Sequence, residues 1–270
     1  MNMKKQIIFI TGASKGLGKA LAKKFIEEGN TVYCGVRNTS AAPNGSYPVF
    51  LDLTIEVSLI NAVNHIIKTS GKIDILIHNA GIAFVGPVDS MTLEESRRMF
   101  EVNFFAPFRL TQLFLPYFRK QRYGKILFVS SIRAIDSGAY IGLYSASKAA
   151  LESIAFDWAV TLSRWNIIVS VVQPGPIDTG IELQTGHYFH DNNPYPPLEN
   201  ISLDLQPVDQ VCEVIVEKLK AKELPFKFQT NIEGAKTANK HLIDPSWNEW
   251  CKAQKSFFKE EESNEIFQSL

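Results

Sequence analysis

Cysteine is scarce in this chain. Its three residues, Cys34, Cys212 and Cys251, are scattered, odd in number and without a CxxC pair or a partnered histidine spacing. That argues against a disulfide-stapled secreted scaffold and against a metal site, and predicts reduced thiols in a cytoplasmic protein. Charge of one sign is lacking as well. Lys and Arg number 28 and Asp and Glu 28, a formal net charge of zero that offers no generic nucleic-acid surface. Long hydrophobic runs are also missing. Ile7 to Ile10, behind Lys4-Lys5, stops at Thr11-Gly12 and is too short for a signal sequence, and no segment approaches a membrane span. What is present is 270 residues at 45% hydrophobic content, enough to bury the core of one large α/β domain, and nothing suggests a second.

Lys5 to Ile10 reads as a buried parallel strand that runs into Thr11-Gly12-Ala13-Ser14-Lys15-Gly16-Leu17-Gly18. Beyond Gly18, Ala20, Leu21, Phe25 and Ile26 recur at helical spacing until Gly29 stops the helix. Glycines in such a turn let backbone N–H groups approach a pyrophosphate, and the helix N-terminus favours the anion. Further on, strands alternate with helices: Thr31 to Val36, Tyr47 to Leu51, Ile73 to Ile77, Lys125 to Val129 and Val169 to Val172 are the candidate strands. The crossover Arg37 to Ser46, rich in Asn, Pro, Gly and Ser, is expected to hold little or no helix. Thr92-Leu93-Glu94-Glu95 is a capping box that predicts a long helix through Phe118, with Asn103 midway. Together these predict an α/β fold of one domain, a Rossmann-type doubly wound parallel sheet flanked by helices.

Tyr144 and Lys148 stand four residues apart, and on a helix such positions share a face. A fixed ammonium beside a phenol favours phenolate and lowers a pKa that is ordinarily about 10. Tyr144 is therefore a candidate acid for a carbonyl or alcohol oxygen. By itself the spacing is weak, because a tyrosine packed beside a surface lysine has the same pattern. Its company gives it weight.

TGxxxGxG from Thr11, Asn79-Ala80-Gly81 and Tyr144-x-x-x-Lys148, in that order, resemble the short-chain dehydrogenase/reductase family over Ile7 to Thr179. The resemblance implies a catalytic set of Asn103, Ser131, Tyr144 and Lys148. It implies a nicotinamide dinucleotide held by Gly12, Ser14, Lys15, Gly16, Leu17 and Gly18, by Asp52 and Leu53 near the adenine, and by Asn79, Ala80 and Gly81. Tyr144 and Lys148 complete the cofactor set with Pro174, Gly175, Ile177 at the carboxamide and Thr179 at a phosphate. Ser131 is preferred to Ser130 because adjacent strand residues face opposite ways and because the family spacing to the tyrosine selects it. In the family Asn103 and its helix neighbours hold a water in a proton chain to Lys148. Two departures stand out. His78 replaces the first asparagine of the family's Asn-Asn-Ala-Gly, which leaves the hydrogen bonds of that position open. Arg133-Ala134 occupies the loop where a glycine is frequent, and Arg133 either contacts a polar group of the substrate or is solvated.

Val36 stands where an NAD-selective site carries its acid, followed by Arg37, with Lys15 in the glycine turn. Two cations and no neighbouring acid suit a 2′-phosphate, so NADP(H) is favoured and NAD(H) is the alternative. Residues 1–179 then form the cofactor-binding and catalytic core, and 180–270 a substrate lid and C-terminal extension. The stretch from His187 to Pro197, rich in aromatics and prolines, is the expected lid over a small apolar carbonyl or alcohol substrate. Its His187 and His190 lack further metal ligands. The tail with Trp247, Trp250, Phe257 and Phe258 either packs as terminal elements or forms a partner surface. On the helix of Tyr144, Ala149, Ala150, Ile154, Phe156 and Trp158 predict a homodimer or homotetramer, in line with the four-helix interface common in the family. The function expected is reduction of a ketone or aldehyde, or oxidation of the matching alcohol. The alternative is a catalytically silent NADP(H)-binding sensor.

Overall fold

The computed structural model describes residues 5–179, 204–221 and 223–243. The predicted lid at 187–197 and the aromatic tail lie outside them, as does Cys251. Seven strands form one parallel sheet: β1 (Ile7–Thr11), β2 (Thr31–Val36), β3 (Tyr47–Phe50), β4 (Ile75–His78), β5 (Gly124–Val129), β6 (Ile167–Gln173) and β7 (Lys227–Gln229). Their order is β3-β2-β1-β4-β5-β6-β7, so the winding reverses between β1 and β4. In such a sheet the crevice at the carboxyl ends of those strands is where ligands bind.

Alternation along the buried strands feeds two cores. Phe9, Leu76, Ile126 and Phe128 face one side, where α2 (Glu56–Ser70), α4 (Ala106–Gln121) and α5 (Gly142–Thr161) pack. Ile8, Ile10, Ile75, Ile77 and Leu127 face the other, against α1 (Gly16–Glu27) and α6 (Val208–Lys220). Helices on both faces of the sheet are what let its central strands read as near-continuous apolar runs. α3 (Leu93–Phe100) precedes α4, and α7 (Ile232–Ile243) ends the described chain.

Some boundaries differ from expectation. β4 begins at Ile75, not Ile73: both backbone groups of Ile73 bond the Gln121 side chain, its N–H donating to Oε1 at 3.1 Å and its carbonyl accepting from Nε2 at 2.8 Å. The crossover after β2 holds a single 3₁₀ turn, Thr39–Ala41. The capping box is present: Thr92 Oγ1 accepts from Glu95 N–H, and the Glu95 carboxylate accepts from Thr92 N–H. The helix it starts is not uniform, however. After Phe100 the chain makes a π turn over Glu101–Phe105 before α4 resumes, and Asn103 sits in that turn. Pro107 lacks the N–H that an α-helix would donate to the Asn103 carbonyl four residues earlier, so regular winding fails there.

Candidate active site

The glycine turn and the loop after β4 are pressed together. Gly12 adopts φ +69°, and a Cβ there would lie 2.9 Å from the Ala80 backbone. At Gly18 an added Cβ would lie 2.4 Å from both Asn79 Nδ2 and the Gly12 carbonyl. No side chain larger than hydrogen fits at Gly18 without moving one loop off the other. Thr11, read in the sequence only as part of the turn, is the pin: its hydroxyl accepts from the N–H of Asn79 and of Ala80, each at 3.1 Å. Asn79 Nδ2 returns bonds to the carbonyls of Thr11 and Gly12 at 3.0 and 3.2 Å. The start of α1 carries no side-chain cap and no acidic residue in its first turn. Its leading N–H groups are thus aimed at the crevice with no side chain of the helix accepting them, which suits an anion. Thr179 lies against this turn, 3.0 Å from where a Cβ on Gly16 would stand. These features fit a dinucleotide's pyrophosphate.

At the ends of β4 and β5 the proposed catalytic set gathers. Asn103 is fully buried. Its Oδ1 accepts from Ile82 N–H at 2.9 Å, while its Nδ2 donates to the Ile82 carbonyl at 2.8 Å and to Ser147 Oγ at 3.0 Å. Its amide is therefore spent on holding the β4 loop to α5, with the Ser147 hydroxyl in turn donating to the Tyr144 carbonyl at 2.7 Å. Lys148 is buried and donates to the Val129 carbonyl at 3.0 Å. Its Nζ lies 5.8 Å from the centre of the Tyr144 ring. A Cβ on Gly81 would meet Asn103 Oδ1 at 3.3 Å and Lys148 Nζ at 3.4 Å, so the floor there is built to glycine size. Burial pushes the Lys148 ammonium down to about 8, while the Glu152 carboxylate opposes that fall.

The two serines diverge as strand alternation requires. Ser130 Oγ donates to Glu152 on the core side at 2.7 Å. Ser131 caps the turn Ile132–Ala134, accepting from Arg133 N–H at 3.1 Å. Tyr144 stands half-buried in the first turn of α5. Arg133, left open in the sequence, pairs through its guanidinium with the Asp136 carboxylate at 3.1 Å and stays partly exposed. Pro174 joins this region by accepting from Ile132 N–H at 2.9 Å. Beside it, a Cβ on Gly175 would lie 2.9 Å from Gln206 Nε2, a buried donor with no partner. Ile177 bridges to Gln206.

His78 finds its own bonds. Its backbone continues the ladder opposite Phe128, its ring stacks on Phe128 at 4.7 Å, and Nε2 meets Thr111 Oγ1 at 2.8 Å. Full burial pushes its pKa down to about 3, so the ring is neutral.

At the adenosine end Lys15 and Arg37 are both exposed beside the crevice; Ser14 lies in the turn before α1, and Leu17 is buried in the first turn of that helix. The expectation that no acid neighbours the two cations is corrected. Asp52 feels the Arg37 charge, and that of Arg98 on α3, which the sequence did not single out. The Asp52 carboxyl is held below its usual range, chiefly by the Thr54 N–H bond at 2.9 Å. Leu53, next to it, packs on the first core.

This arrangement agrees with what the chain is similar to. The family model described as short chain dehydrogenase matches residues 6–187. A 3-ketodihydrosphingosine reductase of Bacteroides thetaiotaomicron is 39% identical over 66% of this chain and 66% of its own length, so the match spans about two thirds of each. The NADPH-dependent 3-dehydrocapnine reductase of Ornithobacterium rhinotracheale is 34% identical over 69% of each chain. Among solved structures, a short-chain dehydrogenase from Streptomyces avermitilis superimposes with a TM-score of 0.81 at 27% identity, covering 94% of this chain and 99% of that one. The chain belongs to the short-chain dehydrogenases, oxidoreductases that act on C=O and CH–OH groups with a nicotinamide dinucleotide.

Proposed function

We propose that this chain is an NADP(H)-dependent carbonyl reductase of the short-chain type, with Asn103, Ser131, Tyr144 and Lys148 as its site. The observation that carries the reading is the buried Lys148 ammonium, fixed on the Val129 carbonyl beside the Tyr144 ring and directly beneath Gly81. A bound nicotinamide dinucleotide supplies the hydride. Ser131 holds the substrate oxygen by a hydrogen bond, and Tyr144 donates its phenolic proton to that oxygen. Lys148 keeps a positive charge near the phenol and so makes the proton easier to give. General acid catalysis of this kind is worth about 10² to 10⁴-fold. Asn103 orders the floor between the β4 loop and α5.

Lys15 and Arg37 support NADP(H) over NAD(H), since a 2′-phosphate gains from two exposed cations while Asp52 has its own partner in Thr54. The named relatives that reduce 3-keto compounds, one of them NADPH-dependent, support a 3-keto substrate carried on an apolar body. We read the chain as one domain, because α6 and β7, beyond residue 180, complete the same sheet and core. Phe105, Phe156 and Val160, exposed on the π turn and α5, support a homodimer or homotetramer, whereas Trp158 does not, being buried against Phe108 and Phe128. The buried thiols of Cys34 and Cys212 support a cytoplasmic setting.

The test is to incubate purified protein with NADPH or NADH and a panel of 3-ketodihydrosphingosine, 3-oxoacyl thioesters and short apolar ketones, following cofactor absorbance. Consumption of NADPH with one ketone class is expected, with a Kd for NADPH that rises about tenfold in Arg37→Ala while that for NADH stays put. Cofactor binding without turnover on any ketone would favour the silent sensor, and equal loss for both cofactors would remove Arg37 from the phosphate.

A further inference from the structure

One turn below Lys148, on the same face of α5, lies a buried carboxylate that the reaction scheme leaves unused. Glu152 is 6% exposed and yet collects three donors from three strands. Its Oε1 accepts from Ser130 Oγ of the β5 end at 2.7 Å and from Gln173 Nε2 of the β6 end at 2.8 Å. Its Oε2 accepts from the same amide at 3.0 Å and pairs with Lys227 Nζ of β7 at 2.7 Å. Gln173 Oε1 is occupied in turn by Gln229 Nε2 at 2.7 Å. The β5 and β6 ends it grips each carry a site residue as neighbour. Ser130 precedes Ser131, Val129 before it receives Lys148, and Gln173 precedes Pro174-Gly175.

A buried charge with a single half-exposed cation is costly to keep for stability alone, since apolar residues of similar volume often do as well. The cost is explained if the charge acts on the site. We infer that Glu152 is a positioning residue for the reaction: it clamps the ends of β5 and β6 in register and places a negative charge one helical turn from Lys148. Lys148 is otherwise surrounded by neutral groups, so this charge is what keeps its ammonium protonated at neutral pH despite burial. The ionisable groups set against the pair are Tyr144 on α5 and Lys227 on β7. β5, β6 and the π turn present Ser130, Gln173 and Asn103, all uncharged.

Two substitutions break the same network with opposite electrostatics. Glu152→Gln keeps the shape and removes the negative charge, and Lys227→Met removes a positive one. Lys148 Nζ is titrated by NMR in ligand-free protein with labelled lysine, a readout that does not depend on the oxidoreductase reading. Its midpoint is expected to fall below that of the wild type in Glu152→Gln and to rise in Lys227→Met. With a ketone from the panel above, kcat of Glu152→Gln at neutral pH is expected to drop roughly tenfold or more with KM little changed, within the range that positioned acid–base groups contribute. Glu152→Asp should recover part of it. Equal Lys148 midpoints in wild type and Glu152→Gln, or a fall of the same size in both variants, would overturn the inference and leave a structural clamp. If Glu152→Gln does not fold, a raised Lys148 midpoint in Lys227→Met supports it and an unchanged or lowered one overturns it.

Discussion

At position 78 the family pattern has asparagine, and the histidine found there is accommodated by a hydroxyl that only the folded chain brings near. Thr111 lies 33 residues on, and nothing local in the sequence links the two. Because His78 is pushed from 6.5 to about 3 by burial, the unfolded chain carries a proton between those values that the folded chain does not. Its contribution to stability is therefore present above pH 6.5 and lost as pH falls toward 3, by up to about 1.4 kcal/mol per pH unit. His78→Asn should flatten that part of the curve. Urea unfolding at pH 7, 5 and 4 checks it, and parallel slopes for both proteins would contradict it. The candidate site residues were legible as candidates because they stand at short, patterned spacing, as in Tyr144 and Lys148. Partners that converge from distant segments were not legible, which is why Thr11 as a pin, the Arg133–Asp136 pair, Arg98 near Asp52 and the Glu152 cluster emerge only in three dimensions.

The elements were mostly legible as well, since buried parallel strands and a capping box leave local marks. The break between α3 and α4 was missed although its cause is in the sequence. Pro107 reads as a poor residue for a helix interior, but it falls where the first turn of a second helix tolerates it, and apolar periodicity runs across both. The π turn directs Asn103 at Ile82 and Ser147. Pro107→Ala restores a donor to the Asn103 carbonyl and lets the turn relax toward α-helix. The expected result is equal or higher thermal stability together with a kcat lowered about tenfold or more. Reduced stability with kcat intact would show the turn to be a packing feature without a role in the site.

For the whole molecule, strand alternation with helices implied a doubly wound sheet, and the observed order adds β7 beyond β6 on the far side of the site. That edge could not be read from the sequence, because β7 is three residues long, and its link to the site runs through Lys227 and Gln229 to Glu152 and Gln173. The winding reversal between β1 and β4 sets the glycine turn beside the Asn79 loop, and β5 brings Ser131 and the Lys148 anchor to the same rim. In the proposed reaction these residues converge on one proton, that of Tyr144. The most direct measurement compares wild type with Tyr144→Phe, following NADPH oxidation with a ketone the wild type reduces and titrating NADPH binding separately. The account predicts a fall in kcat of at least about 10²-fold with NADPH affinity nearly unchanged, because only the transferable proton is removed. A variant that keeps most of its kcat would contradict it.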